Sequence, residues 1–339
     1  METSTWKQLE AIMEAYALDT NGGPEVLRRV TIADPVPGAG EVLVRIAYAG
    51  VNYAEAEHRR GVFGPAEGWE VPGLEASGQI AAIGSGVEGF RIGQPVAAYL
   101  PRFGGYAELV AVAAPFVLPL PQQFDLTAAG GFGCVAPTAY GVVSAAARVS
   151  AGDTVLIHAA AGGVGSLAVQ IARALGASRL IGTVGDPAKV SYAQRLGYDL
   201  VLPRAGFAAE VLDATGGRGV DVVLDPVGGP VREESLTLLA PFGRLVAFGD
   251  AAAAPDVELP MLSLWKNNRT AGGYNIGDLA RRAPELWRAH ALTVLDLVAK
   301  GVVRIDVAEV VPWDRVRDVH KRLDAGSTTG KIVLHVADL

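Results

Sequence analysis

Cysteine is nearly missing from this chain of 339 residues: Cys134 stands alone, which excludes an internal disulfide and a four-cysteine zinc lobe. Histidine is scarce too, and His58, His158, His290, His320 and His335 show no close ligand spacing. Only 19% of residues are charged, the net charge is −7 and no basic run occurs, so neither nucleic acid nor an acidic membrane is expected as a partner. No apolar stretch approaches the ~20 residues that a bilayer demands. The opening METSTWKQLE is polar, without the apolar centre of a secretory leader. A soluble cytoplasmic protein is the expectation. Half the residues are hydrophobic, and a chain of this length is expected to form two well-buried domains.

The segment DTVLIHAAAGGVGSLAVQIARALGASRLIGTV, Asp153 to Val184, reads as a complete nucleotide-binding unit. Val155, Leu156 and Ile157 form the short apolar run of a buried parallel strand, and Gly162, Gly163 and Gly165 follow at once. The next helix is predicted to put Leu167, Ile171, Ala174 and Leu175 on one face and to end at Gly176, before a strand opening with Leu180 and Ile181. A pyrophosphate can lie against the corner formed by Ala161, Gly162, Gly163, Val164 and Gly165. Glycine lets the backbone approach closely, and the first helical N–H groups are unpaired and partly positive. As a GxGxxG motif the corner has Ala160 in first place, and a tight turn without a ligand is the plainer alternative.

In an NAD site a carboxylate is expected about 20 residues beyond the glycines. Gly182, Thr183 and Val184 stand there instead. A 2′-phosphate would meet no repulsion, and Lys189 follows closely enough to pair with it, so NADPH is favoured over NADH. Asp186 runs against this, although Pro187 behind it marks a helix start where Asp is an ordinary cap. Lys189 as a solvated helix lysine is the alternative.

From about Ala11 to Pro121 short β-type runs, EVLVRIAYAGV, ASGQIAAIGSG, GQPVAAYL and YAELVAV, are cut by glycine and proline, a pattern suited to a compact barrel. From Asp153 strands alternate with helices: DLVLP, GVDVVLDPVGG and GRLVAFGD are strands, with AAEVLDATGG and VREESLTLLA as helical connections. A helix around Leu262 to Asn268 and a long amphipathic one from Pro284 to Lys300 precede a strand-helix-strand tail ending in GKIVLHV.

The series GGPEVL, GVNYAEAEHRRG, VPGLEASG, GSGVEGFRIGQPV, GGYAELV, PTAYGVV, HAAAGGVG, DPVGG, GRLVAFG and GKIVL, in that order, resembles the quinone oxidoreductase branch of the medium-chain dehydrogenase/reductase superfamily. NNRTAGGYNIGDL is similar to the vesicle amine transport protein-like members of that branch. The resemblance implies an α/β chain with a Rossmann doubly wound parallel sheet and a GroES-like β-barrel catalytic domain. It divides the chain into 1–130 (barrel), 131–270 (NADPH-binding) and 271–339 (a return completing the barrel). It also implies a cleft between the domains as the active site, and a homodimer. Against the pattern of the zinc-dependent relatives, Asn52 stands in place of the first cysteine ligand and Leu74 in place of the histidine, leaving only Cys134. One thiolate cannot hold a catalytic zinc, so no metal is expected. Cys134 is expected to pack as a small apolar side chain, and Glu55, Glu57 and His58 to form a helix surface.

Without a metal, the fitting chemistry is hydride delivery to a quinone or to the C=C of an enone or enoyl substrate, with the protein offering a hydrogen bond and a proton. The resemblance implies that Asn52 lies near the nicotinamide and the substrate oxygen. It implies that Thr138 contacts the nicotinamide, that Val227, Gly228, Phe248 and Gly249 line the cleft, and that Lys189 and Arg204 face the 2′-phosphate. Thr183 belongs to the cofactor set as the replacement for the ribose acid. Some relatives carry a proton-donating tyrosine where Glu57 stands. Glu57 could donate only if burial raised its pKa from about 4.3, and Tyr53, one helical turn earlier, is the other candidate. A solvated Glu57 with water as donor remains open, as do two other activities: an acyl-thioester enoyl reductase, and an NADPH-binding protein with little catalysis.

Overall fold

The computed structural model describes residues 11–255 and 257–339; the polar opening METSTWKQLE lies outside them. Two sheets organise the chain. The first has seven strands. Its spatial order is Val307–Pro312, Lys331–His335, Glu41–Val51, Glu75–Ile83, Pro95–Tyr99 and Val117–Pro119, with Leu109–Ala113 paired to the start of Glu41–Val51. The C-terminal strand thus pairs with the barrel strand Glu41–Val51, with Ile332 opposite Val51 and Leu334 opposite Ala49. Alternation drives this closure: Val42, Val44 and Ile46 point inward and are fully buried.

The second sheet has six strands, all parallel, in the order Leu200–Pro203, Arg179–Val184, Thr154–Ile157, Val220–Asp225, Leu239–Ala247 and Thr270–Gly273. The chain leaves the central strand Thr154–Ile157 to one side and later returns to its other side. The carboxyl end of that strand is therefore the topological switch point of a Rossmann sheet, where ligands of open α/β sheets gather. Val155, Leu156 and Ile157 have no exposed surface, as strands covered on both faces require.

Two local expectations need correction. In the helix Gly163–Ala174 the buried face is Leu167, Ala168, Ile171 and Ala172, while Ala174 and Leu175 are exposed. Small alanines let the helix settle close to the sheet, and Leu175 lies past the last turn. The strand Thr270–Gly273 arises in a segment to which no strand was assigned; its two glycines carry no β signal, and pairing with Arg244–Ala247 makes it a strand.

The two sheets share a core. Trp287, on the helix Pro284–Ala299, is fully buried and stacks on Tyr99 of the barrel with ring centroids 5.6 Å apart. Among the described residues no helix is long and apolar enough to cross a membrane.

Candidate active site

The glycine corner lies at the switch point, and its glycines do different work. A Cβ on Gly165 would stand 2.6 Å from the Ala159 carbonyl oxygen and 2.9 Å from that of Ala160, so only glycine lets the helix pack against its own turn. A Cβ on Gly163 would meet nothing nearer than Val135, at 3.4 Å. Packing does not require glycine there; the bare backbone leaves a cradle. Gly162 caps the helix in an extended conformation, so the N–H groups of the first turn point outward without intrahelical partners. These residues fit a pyrophosphate.

The far end of the cradle is cationic. The guanidinium of Arg204 lies along Gly185, where a Cβ would come within 3.0 Å of Nη2, and its buried Nε has no hydrogen-bond partner. Lys189 is not a solvated lysine: its ammonium donates to the carbonyls of Gly326 and Thr328, the latter at 2.7 Å. Burial, and then repulsion from Arg204, lowers its proton affinity, which Asp186 partly restores. The Asp186 side chain accepts the N–H of Ala188 at 2.9 Å and so behaves as the cap expected of it. Two cations so close, one with an idle buried donor, suit a phosphate group. Thr183 differs from expectation. It is fully buried, and its hydroxyl pairs at 2.7 Å with Nδ1 of His158, whose Nε2 meets Ser235 at 2.8 Å. Burial pulls that imidazole down to about 4. The Thr183 side chain therefore supports the strand end and offers no hydroxyl to a ribose.

At the opposite end two turns are tied together by residues that the sequence reading missed. Asp225, fully buried, accepts the N–H groups of Val227 (2.7 Å) and Gly228 (3.2 Å) and pairs with Arg232 at 2.8 Å. Arg232 also donates to the Gly249 carbonyl at 2.7 Å, which joins the Val227–Gly228 turn to Phe248 and Gly249. Gly228, at φ 82°, takes the left-handed backbone that this turn needs. Thr138 is buried on the helix Val135–Tyr140, its hydroxyl donating to the Cys134 carbonyl at 2.7 Å. Cys134 is a free, buried thiol as expected, and burial pushes it well above the ordinary range.

The barrel wall facing this end is the helix Tyr53–Arg60, and here three readings change. Asn52 caps the helix, but its carboxamide is fully engaged: Nδ2 donates to Glu75 (3.0 Å) and Glu55 (3.2 Å), and Oδ1 accepts from Lys331. It has no free N–H for a substrate oxygen. Glu55 is not on a helix surface; it is fully buried and accepts the N–H groups of Asn52 (2.7 Å) and Leu74 (2.9 Å). Desolvation raises its carboxyl to about 7 against the pull of Lys331. His58 stacks on Phe103 at 4.2 Å and pairs with Glu70 at 3.0 Å, away from Glu55. Glu57 is half-buried, and burial, reinforced by Asp250, raises its pKa. The hydroxyl of Tyr53 reaches across to the Ala251 carbonyl at 3.3 Å. Glu55, Glu75 and Lys331 went unrecognised because no local pattern brings them together.

Two family models match the chain: "Alcohol dehydrogenase GroES-like domain" over residues 38–122 and "Zinc-binding dehydrogenase" over 163–293. A quinone oxidoreductase of Pseudomonas aeruginosa is 35% identical over 321 residues, covering 92% of this chain and 96% of that protein. The chain belongs to the quinone oxidoreductase branch of the medium-chain dehydrogenase/reductase superfamily. A second member of the superfamily, a 2-haloacrylate reductase of a Burkholderia species, is 32% identical over 94% of this chain and 98% of its own length. The crystal structure of Escherichia coli quinone oxidoreductase complexed with NADPH superposes with a TM-score of 0.86 at 28% identity, over 96% of this chain and all of that one. In this member of the branch, no group of three His, Cys, Asp or Glu residues that could hold a metal occurs among the described residues. Where the zinc-dependent relatives carry ligands it has the apolar Leu74, the engaged amide of Asn52 and the thiol of Cys134.

Gly163→Ala should change stability by less than about 1 kcal/mol yet raise the NADPH dissociation constant tenfold or more in a fluorescence titration, about 1.4 kcal/mol. Gly165→Ala should instead cost about 1–3 kcal/mol of stability in urea unfolding. Glu55 supplies a pH test. Its carboxyl holds a proton up to about pH 7 in the folded chain but only to about 4.3 when unfolded. The stability it contributes is complete below the unfolded value and is lost as pH rises through about 7. Glu55→Gln should remove that part of the decline in Tm between pH 5 and pH 8; an unchanged slope would refute the assignment.

Proposed function

We propose that this protein is an NADPH-dependent, zinc-independent reductase of quinones and α,β-unsaturated carbonyl compounds. The observation that carries the reading is the glycine corner at the switch point, with a cationic pair at one end and the Asp225-tied turns at the other. A dinucleotide laid along this cradle has its 2′-phosphate at Lys189 and Arg204, its pyrophosphate at Gly162 to Gly165, and its nicotinamide toward Thr138, Val227 and Phe248. Bound NADPH would supply the hydride. The chain's own residues orient the acceptor, exclude water and return a proton. Buried aliphatic walls lower the local dielectric, so any charge developing on the acceptor oxygen is felt strongly by nearby dipoles.

Asn52 positions the wall, and Glu57 is the proton-holding group at the cleft. Burial raises the proton affinity of its half-buried carboxyl, the direction a donor requires, and Tyr53 braces the same helix face against Ala251. The similarity to a 2-haloacrylate reductase supports extending the substrate class from quinones to activated C=C bonds.

We also infer a homodimer. Among the described residues the strand Thr270–Gly273 leaves one edge of the parallel sheet unpaired, and the neighbouring helix Met261–Lys266 exposes Met261, Leu262 and Trp265, the last at 74%. An open edge beside exposed apolar side chains supports pairing with a second copy.

NADPH oxidation with 9,10-phenanthrenequinone and with a simple enone tests the activity. Saturable NADPH binding with no turnover on either would leave a binding protein. Lys189→Ala with Arg204→Ala should weaken NADPH much more than NADH; equal weakening would overturn the placement of the 2′-phosphate. Glu57→Gln should lower kcat, and the loss of activity expected of the parent as rising pH deprotonates this carboxyl should be absent from the variant's pH profile.

A further inference from the structure

We propose that Lys331 is a positioning residue for hydride transfer: from beneath the glycine corner it sets the orientation of the Asn52 carboxamide and of the helix that carries Thr138. The proposal rests on the reductase reading above.

Lys331 is the first residue of the last strand and is only 3% exposed. An ammonium taken out of water costs several kcal/mol unless all its protons find acceptors. It has three, and three groups take them: the Val51 carbonyl at 2.8 Å, Oδ1 of Asn52 and Oε1 of Glu75. None is left for a ligand. Lys331 can therefore act only through its partners.

Those contacts decide which way the Asn52 amide faces. Its oxygen is turned to an ammonium, and both Nδ2 hydrogens are directed at carboxylates. Turned over, the amide would set NH2 against NH3⁺ and its oxygen against the Glu75 carboxylate, and both contacts would be repulsive. Without Lys331 the oxygen loses its cationic partner, and that preference weakens. The same cluster reaches the opposite wall, because Oε2 of Glu75 accepts the N–H groups of Cys134 (2.7 Å) and Val135 (3.3 Å) at the start of the helix bearing Thr138.

The stem of Lys331 links this cluster to the cofactor corner. Gly330, at φ 57°, donates its N–H to the Ala161 carbonyl at 2.7 Å and bridges to Gly162. A Cβ on Gly163 would lie 3.6 Å from Cδ of Lys331, and one on Gly131 would strike Cγ at 2.5 Å. The side chain thus runs from under the pyrophosphate cradle to the helix cap at the reacting end.

Lys331→Met alone leaves Glu75 buried without its counter-charge and is expected to fold poorly. Lys331→Met with Glu75→Gln removes both charges, and the glutamine oxygen can still accept the Cys134 N–H. The double variant should fold and bind NADPH within about threefold of the parent. Its kcat on 9,10-phenanthrenequinone should fall tenfold or more, and its isotope effect with 4-deuterated NADPH should rise as hydride transfer becomes limiting. The emission of bound NADPH should shift, a readout that needs no turnover. A double variant with parental kcat, isotope effect and emission would overturn the proposal and leave the cluster as a structural tie. Parallel loss of NADPH affinity and kcat would overturn it too, since Lys331 would then act by holding the corner. If the parent itself turned over no acceptor, the reductase reading would fail, and the emission of the double variant would still decide the role of Lys331: shifted if it positions the ring, unchanged if it does not.

Discussion

The pairing of Lys331 with Glu75 is the contact to which most of the site is moored. Four separate parts of the chain meet at the Glu75 carboxylate: the cap at Asn52, the strand Glu75–Ile83, the helix start at Cys134 and Val135, and the returning strand at Lys331. Each is a polar group that would be costly to bury alone, and together they satisfy one another. Removing one partner of such a pair costs about 3–5 kcal/mol. The pair ties two strands of the barrel together, and the second oxygen of Glu75 extends the tie to the helix start at Cys134 and Val135.

The molecule also has an electrical polarity along the cradle. Lys189 and Arg204 stand at one end, the second with a buried donor that has no hydrogen-bond partner, whereas the charged groups at the other end are largely paired with one another. In the proposed binding mode that asymmetry favours placing the extra phosphate of the dinucleotide at the cationic end. Local ties then take over: Asp225 and Arg232 hold two turns in register, and the corner glycines set how near the backbone can come. Carboxyl groups at the reacting end are useful because burial makes them hold protons at higher pH than exposed carboxyls do.

Much of the fold was legible in the sequence because its signals are local. The run Val155–Ile157, the glycines after it and the strand near Leu180 lie within about one βαβ unit, and each follows from periodicity or backbone freedom. The barrel strands were visible from alternation, and the C-terminal return followed from the family resemblance. The strand Thr270–Gly273 was not, since its residues carry no preference and its neighbour supplies the pairing. Site residues divided in the same way. The corner's place between strand and helix was legible from its glycines, whereas Glu55 reads as surface in the sequence because a Glu in a charged octapeptide looks solvated, and the amide of Asn52, expected to face substrate, is engaged by Glu55, Glu75 and Lys331.

The sequence by itself determined the two kinds of sheet, the glycine corner, the missing ribose acid and the loss of metal ligands, because each depends on residue type or on spacing along the chain. Tertiary structure alone decided which polar groups share a buried space. Lys331 meets Asn52 across 279 residues and Glu55 meets Leu74 across 19, and whether a carboxylate is solvated or buried depends on such partners. Desolvation is a property of the folded neighbourhood, so proton affinities and side-chain orientations at the reacting end emerge only once the chain has closed.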